Sequence, residues 1–233
     1  MLAVRQFRFG CDNLGYLLYG EKTALAIDGG ATEEILAFLH ARGLILRLVA
    51  NTHSHPDHTG GNRTLLRETG ARLLSFRELA ATPSFTIDGE DVDVILTPGH
   101  SEDSVCFLAG GALISGDTLF NGTVGNCCTG NWQAFFASLV RLTQLPPETR
   151  VYAGHDYVRD AIAFAKLLEP YNATLDRYLE RYNPDCVFST LGEELIVNPF
   201  LRWDDEALAA ILAQRGLPHA TAFARWHSLM TMD

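Results

Sequence analysis

His53, His55, Asp57 and His58 fall within six positions, in the stretch VANTHSHPDHTGGN. In an extended segment, side chains two apart point the same way, so His53 and His55 can face one ion. The chain then turns toward Gly60 and Gly61, where the missing Cβ lets backbone approach closely, so Asp57 and His58 can face a second position. Three further groups of the same kind follow: His100 in TPGHS, Asp117 in SGDTLF and His155 in AGHDY. Taken singly, a histidine near a strand end is an ordinary hydrogen-bonded residue. Packed together as HxHxDH, such groups are costly to desolvate without a cation. The chemistry is therefore metal binding. Shared between two ions, the five histidines and two aspartates give each ion three protein ligands, one carboxylate bridging, with positions left open for solvent. His40, His219 and His227 lie in helical patterns and read as structural or surface residues.

The elements that must position these groups alternate between strand and helix. VRQFRF, GYLLYG and TALAID read as strands split by turn residues. ATEEILAFLHARG reads as a helix with Thr32 as its cap and Gly43 as its stop. LILRLVAN is a buried strand leading into the histidine turn. NRTLLRETG is a short helix ended by Gly70, and ARLLSF is the next strand. DVDVILTPG is a strand; SVCFLAGGALISGDTLF is a hairpin about Gly110 and Gly111. NWQAFFASLVRLTQL is helical, and TRVYAGHDY is strand then turn. The ligand-type residues collect where strands end, the rim on which layered α/β folds build their sites. From about Tyr157 the strand signals stop, and four helical patterns follow: VRDAIAFAKLLEP, NATLDRYLERY, DDEALAAILAQRG and HATAFARWHSLM. The expected division is a metal-binding catalytic domain over 1–167 and a small helical domain over 168–233 that packs directly on it.

The whole chain bounds the partners. At 233 residues, 47% hydrophobic and 20% charged, it is a globular domain with a sizeable core, not a disordered chain. A formal charge of −10 repels phosphate backbones, so nucleic acid is disfavoured as a partner, and nothing draws the chain to anionic membranes. No apolar run approaches the ~18 residues of a membrane span, and the first residues lack the pattern of a signal peptide. Five irregularly spaced cysteines, two of them adjacent at Cys127 and Cys128, fit a reducing cytoplasm without a disulfide framework. Oligomeric state is open.

HxHxDH followed by TPGHS, GDTLF and GHDY, in that order, resembles the metallo-β-lactamase superfamily across nearly the whole chain. The resemblance implies an α/β fold of four layers, an αββα sandwich with a dinuclear site at one edge and a small C-terminal helical domain. It implies a first metal held by His53, His55 and His100, a second held by Asp57, His58 and His155, and Asp117 bridging. Asp28, in IDGG, matches an acid that supports the site from behind its ligands. STLGEELIVNPFLR, LPPETRVYAGHDY and FAKLLEPYNA are similar to glyoxalase II, the hydroxyacylglutathione hydrolases. That family implies a small-molecule acyl-thioester substrate, with Tyr157 and Arg225 on the side of the carrier thiol. The sequence departs where the family carries other carrier-binding groups: Asn126 and Cys128 replace a lysine and a tyrosine, and Ser228 replaces a lysine. The only lysines are Lys22 and Lys166, so the acyl group and the carrier stay open.

The expected reaction is attack of a metal-bridging hydroxide on the acyl carbonyl, with the cations stabilising the developing oxyanion. A thiolate with a parent pKa near ~8.5 leaves without a strong acid, and Asp57 is a candidate proton acceptor. All seven ligand candidates offer nitrogen or oxygen; zinc is the first expectation for two divalent ions, with iron and manganese as alternatives. Two competing readings share the fold: a mononuclear-iron persulfide dioxygenase, toward which HDY at 155–157 points, and a metal-binding protein without hydrolase activity.

Overall fold

The computed structural model describes residues 2–232. Sheet one has the order β1 (Ala3–Phe9), β2 (Asn13–Tyr19), β3 (Thr23–Ile27), β4 (Ile45–Ala50) and β5 (Arg72–Leu73). Its first three strands are antiparallel, while β3, β4 and β5 run parallel. Sheet two has the order β11 (Ser189–Thr190), β10 (Arg150–Ala153), β9 (Ala112–Gly116), β8 (Val105–Ala109), β7 (Glu90–Leu96) and β6 (Ser84–Ile87). Strands β6 to β9 form a meander, β10 joins β9 in parallel, and β11 closes the edge antiparallel to β10.

The period of two along the strands explains the layering. Leu14, Tyr16 and Leu18 of β2, with Leu25 and Ile27 of β3, meet Phe107 and Ile114 of sheet two in the central core. The alternate residues Leu17, Ala24 and Ala26 face outward onto Ile35 and Leu39 of α1 (Thr32–Arg42) and Leu65 of α3 (Asn62–Thr69). On sheet two, Cys106, Leu113 and Val151 face outward onto Phe135 and Leu139 of α5 (Trp132–Leu142) and Trp226 of α10 (Ala222–Met230). Three apolar layers separate four structural ones, which is the αββα sandwich expected. Each fully buried leucine or phenylalanine contributes about 1.5–3 kcal/mol, and both sheets gain on both faces.

Local signals decide the element ends, with some corrections. Gly43 and Gly70 stop α1 and α3 in the left-handed conformation that glycine adopts without strain. The cap of α1 is Ala31, with no side-chain hydrogen bond, so Thr32 begins the helix and does not cap it. ARLLSF keeps only Arg72 and Leu73 as strand; Ser75 and Glu78 form a capping box that starts α4 (Phe76–Ala81), and that local pairing overrides the β-like composition.

The helical tail is not free of strand. After α6 (Val158–Leu168) and α7 (Ala173–Arg181), β11 pairs Ser189 with Val151 and Thr190 with Arg150. Thr190 and Glu193 then form a capping box for α8 (Leu191–Val197). After it, α9 (Glu206–Gln214) and α10 fold back on sheet two, with the Trp226 ring 5.8 Å from Phe135 and 5.3 Å from Phe136. Two residues of strand are too short for periodicity to reveal. Among the described residues no helix is long and apolar enough to cross a membrane.

Candidate metal centre

Parallel strands deliver the ligand-type groups to one rim. Asp28 follows β3, the histidine turn follows β4, His100 follows β7, Asp117 follows β9 and His155 follows β10. α2 (Pro56–Thr59) opens at Pro56, so Asp57 and His58 lie on a single helical turn. Cross-sheet backbone bonds lock the rim: Val105 N–H donates to the Thr52 carbonyl at 2.8 Å, and Leu14 N–H to the Gly154 carbonyl at 2.8 Å. Gly154 must lack a side chain here, because a Cβ would stand 2.2 Å from Asp117 Oδ1 and 2.9 Å from the His58 ring.

The seven candidates converge. His55 Nδ1 lies 2.9 Å from His53 Nε2 and 3.1 Å from His100 Nε2. His58 Nε2 lies 3.3 Å from His155 Nε2 and 3.5 Å from Asp57 Oδ2. Asp117 stands between the two sets: Oδ1 is 3.4 Å from His58 Nε2, and Oδ2 is 3.6 Å from His100 Nε2 and 3.5 Å from His155 Nε2. Three groups have their ligand atoms within 4.8 Å of one another: His53, His55, His100; His53, His58, Asp117; and Asp57, His58, His155. Ligands at 2.0–2.1 Å in a tetrahedron sit roughly 3.3–3.4 Å apart, so this spacing fits donors that share ions.

The outer nitrogens explain why the inner ones carry lone pairs. Thr52 Oγ1 donates to Asp28 Oδ2 at 2.7 Å, so it can accept from His53 Nδ1 at 3.1 Å. His58 Nδ1 faces Asp28 Oδ2 at 3.0 Å, His100 Nδ1 faces the Asn126 carbonyl at 2.9 Å, and His155 Nδ1 faces Asp12 Oδ1 at 2.8 Å. Each acceptor fixes an N–H on the far side, and the Nε2 lone pair points inward. Asp28 reaches His58 through a positive φ of 52° and is completely buried.

The electrostatics call for a cation. Asp117 Oδ1 is buried without a hydrogen-bond partner: His58 is near it, but not in hydrogen-bonding geometry. Burial alone lowers His58, yet Asp28 and Asp117 outweigh it and raise its pKa to about 11. Burial likewise opposes the charged form of Asp117, but His155 and His58 hold its carboxyl far below the usual range. Burial, reinforced by His58, lowers His53 to about 4. A proton on His58 thus occupies a place where a metal ion fits, and the donor set is all nitrogen and oxygen.

Around this cluster, the Tyr157 ring stacks on His155 with centroids 5.1 Å apart and meets Phe120 edge-on at 5.0 Å. Arg225 is not brought to the imidazoles. Its Nε donates to the His219 carbonyl at 2.8 Å, its Nη1 to the Trp203 carbonyl at 3.2 Å, and its Nη2 lies 3.1 Å from Glu206 Oε1. Ser228 is buried and donates to the Pro218 carbonyl at 2.7 Å. His40 and His219 are exposed, and His227 packs on Trp132.

Sequence reasoning missed Asp12, Asn13 and Thr52 behind the ligands. It also missed buried Glu194 of α8, which accepts from Gly122 N–H at 2.8 Å, Asn198 Nδ2 at 3.0 Å and Tyr178 OH at 2.7 Å. With Asn198 donating to the Thr123 carbonyl at 2.9 Å, the tail pins the loop after Asp117. Asp12-Asn13 read only as a turn; the one signal for Glu194 was its place in the STLGEELIVNPFLR motif.

An αββα sandwich whose rim gathers imidazoles and carboxylates in this way defines a metal-binding protein. The family description "Metallo-beta-lactamase superfamily" matches residues 9–91 and 82–155, and "Hydroxyacylglutathione hydrolase C-terminus" matches 156–229. A hydroxyacylglutathione hydrolase of Methylobacillus flagellatus is 34% identical over 230 residues, covering 91% of this chain and 92% of the relative. One of Synechococcus sp. (strain JA-2-3B'a(2-13)) is 37% identical, covering 85% and 88%. Among solved structures, ETHE1 from Myxococcus xanthus superposes with a TM-score of 0.66 at 25% identity, covering 97% of this chain and 99% of that one. TTHA1623 in a di-iron-bound form superposes with a TM-score of 0.61 at 28% identity, covering 84% and 100%. The chain belongs to the metallo-β-lactamase superfamily and, within it, to the hydroxyacylglutathione hydrolase family.

Proposed function

We propose that the chain is a dinuclear metal-dependent hydrolase of acyl thioesters. The observation that carries this reading is the pair of facing donor sets that meet on Asp117. His53, His55 and His100 would hold one divalent ion, Asp57, His58 and His155 the other, and Asp117 would serve both. A related structure binds two irons; here zinc is the first expectation, with iron and manganese as alternatives, since no thiolate donor favours one metal. Bound divalent ions supply acidified solvent and Lewis-acid stabilisation of an acyl oxygen. The catalytic unit is assigned to 1–167 and the helical unit to 168–233.

The chain's own residues do the rest. Asp28 and the Asn126 carbonyl hold His58 and His100 with their lone pairs inward. Burial raises the Asp57 carboxyl, but the Asn13 hydrogen bond and His58 outweigh it and depress its pKa, so it stays ionised and receives a proton only transiently. Asp57→Asn with full metal content and unchanged turnover would remove that role. Tyr157, with its ring laid on His155, forms a wall for the carrier thiol. Arg225 enters as a carrier group only if it releases one of its present partners, and Arg225→Ala with an unchanged KM would strike it from that side. The relatives are named for hydroxyacylglutathione; the carrier here is open because Ser228 is buried and no lysine stands at these positions.

A mononuclear-iron oxygenase would need only one donor set, and this rim carries two. The deciding experiment is a panel of acyl thioesters of glutathione, coenzyme A and simple thiols, with metal content measured on the same sample. Turnover with two ions per chain is expected. Oxygen uptake with one iron per chain would sink the reading in favour of the dioxygenase, and two bound ions with no thioester turned over would leave a binding protein.

A further inference from the structure

One pair of ligands depends on a segment from the other end of the fold. The tip of the β1–β2 hairpin, residues 10–13, is zipped to the segment that carries His155. Leu14 N–H donates to the Gly154 carbonyl at 2.8 Å, Asp156 N–H donates to the Asp12 carbonyl at 3.0 Å, and Asn13 forms an isolated bridge with His155. From this frame Asp12 Oδ1 meets His155 Nδ1 at 2.8 Å. Asn13 Nδ2 donates to Asp57 Oδ2 at 3.0 Å and lies 3.4 Å from His155 Nε2. Two neighbouring residues of the β1–β2 hairpin therefore touch two of the three ligands of one position, and their side-chain hydrogen bonds go to Asp57 and His155.

We propose that Asp12 and Asn13 are positioning residues that set the affinity of the second cation position, the one formed by Asp57, His58 and His155. The inference rests on the dinuclear reading above. Asp12 keeps the His155 proton on Nδ1, which leaves Nε2 as the donor and turns the ring toward the site. Asn13 donates to Oδ2 of Asp57, whose side chain is 47% exposed, and so fixes the direction of that carboxylate. The Asp12 side chain is 39% exposed, so its bond to His155 adds little to the stability of the fold; its effect falls on ligand orientation.

The test is metal loading, without any assay of turnover. Wild type, Asp12→Ala, Asp12→Asn and Asn13→Ala are equilibrated with zinc at buffered free concentrations. Ions per chain are then counted by elemental analysis, with circular dichroism to follow the fold. Wild type should fill in two steps. Asp12→Ala should shift one step to about 10- to 100-fold higher free zinc and leave the other unmoved. Asp12→Asn should recover part of the shift, because an amide oxygen still accepts from Nδ1–H. Asn13→Ala leaves every backbone tie in place and should move the same step by a smaller factor, which carries the test if Asp12→Ala does not fold. The inference is overturned if both steps stay unmoved in these variants, or if both move equally. A wild type that binds fewer than two ions would overturn the dinuclear reading itself, and no variant is needed to see it.

Discussion

The two donor sets differ in what stands behind them. His53 and His100 are backed by neutral oxygens, the Thr52 hydroxyl and the Asn126 carbonyl. His58 and His155 are backed by carboxylates, Asp28 and Asp12. Their proton affinities split accordingly. Burial lowers both His53 and His100, so these two imidazoles favour the neutral form. Burial acts the same way on His58 and His155, but Asp28 and Asp117 for the one, and Asp117 and Asp12 for the other, raise both. Identical side chains thus fall into a pair held neutral, His53 and His100, and a pair that holds protons more tightly, His58 and His155. What separates them is the carboxylates that meet each ring, Asp117 in front and Asp28 or Asp12 behind, not the ring.

The largest effect should come from erasing the difference altogether. Asp117 faces His58, His100 and His155, so Asp117→Ala should deplete both positions and lower kcat/KM on the order of 10³-fold, beyond the 10–100-fold typical of supporting groups. Metal content and thioester turnover check it; loss of one ion alone would mean that Asp117 serves a single position.

Next in size, Asp28→Ala strips His58 and Thr52 of their buried acceptor. Stability should fall by about 1–3 kcal/mol in denaturant titration, and the second ion should bind about 10- to 100-fold more weakly. Equal weakening of the first ion would break the contrast drawn above.

The pH response sharpens the same contrast. An ion entering the proposed second position would displace the His58 proton, so below the His58 value of about 11 its apparent affinity should rise by at least about tenfold per pH unit. First-position affinity should depend less on pH over the same range, because burial lowers His53 and His100. In the metal-free fold the linkage has a definite sign. His58 has a folded pKa above its ordinary 6.5, so its stabilisation is fully present below 6.5 and is lost as pH rises through about 11. Thermal unfolding of metal-free protein across that range checks it, and His58→Gln should flatten the slope.

The smallest effect should lie farthest from both positions. Burial raises the Glu194 pKa, so the neutral isostere in Glu194→Gln should cost about 1 kcal/mol and leave metal content intact. A KM increase in that variant would extend the comparison to the loop that Glu194 holds through Gly122.

How much of this was legible in the residues follows from the range over which each signal acts. The HxHxDH cluster declares itself because its four members lie within six positions, where local geometry alone keeps them close. The strands β2, β3, β8 and β9 are readable because apolar runs bounded by turn residues report burial directly. The Gly43 and Gly70 stops are readable because a left-handed residue is a property of one position. Strand β11 and the capping box at Ser75 were not, since two residues of strand carry no period and a local pair of side chains overrode composition.

The residues by themselves determined the candidate donors, the four-layer class and the family. Only the tertiary structure decided which group stands behind which imidazole. Asp12 lies 143 positions from His155, and Asn13 lies 44 from Asp57; no periodicity connects them. Arg225 likewise matched by position, while the packing of α10 turned it onto the Trp203 and His219 carbonyls. The physical reason is that a donor's chemistry belongs to its side chain, whereas its tautomer, charge and direction belong to its neighbours, and the fold chooses those.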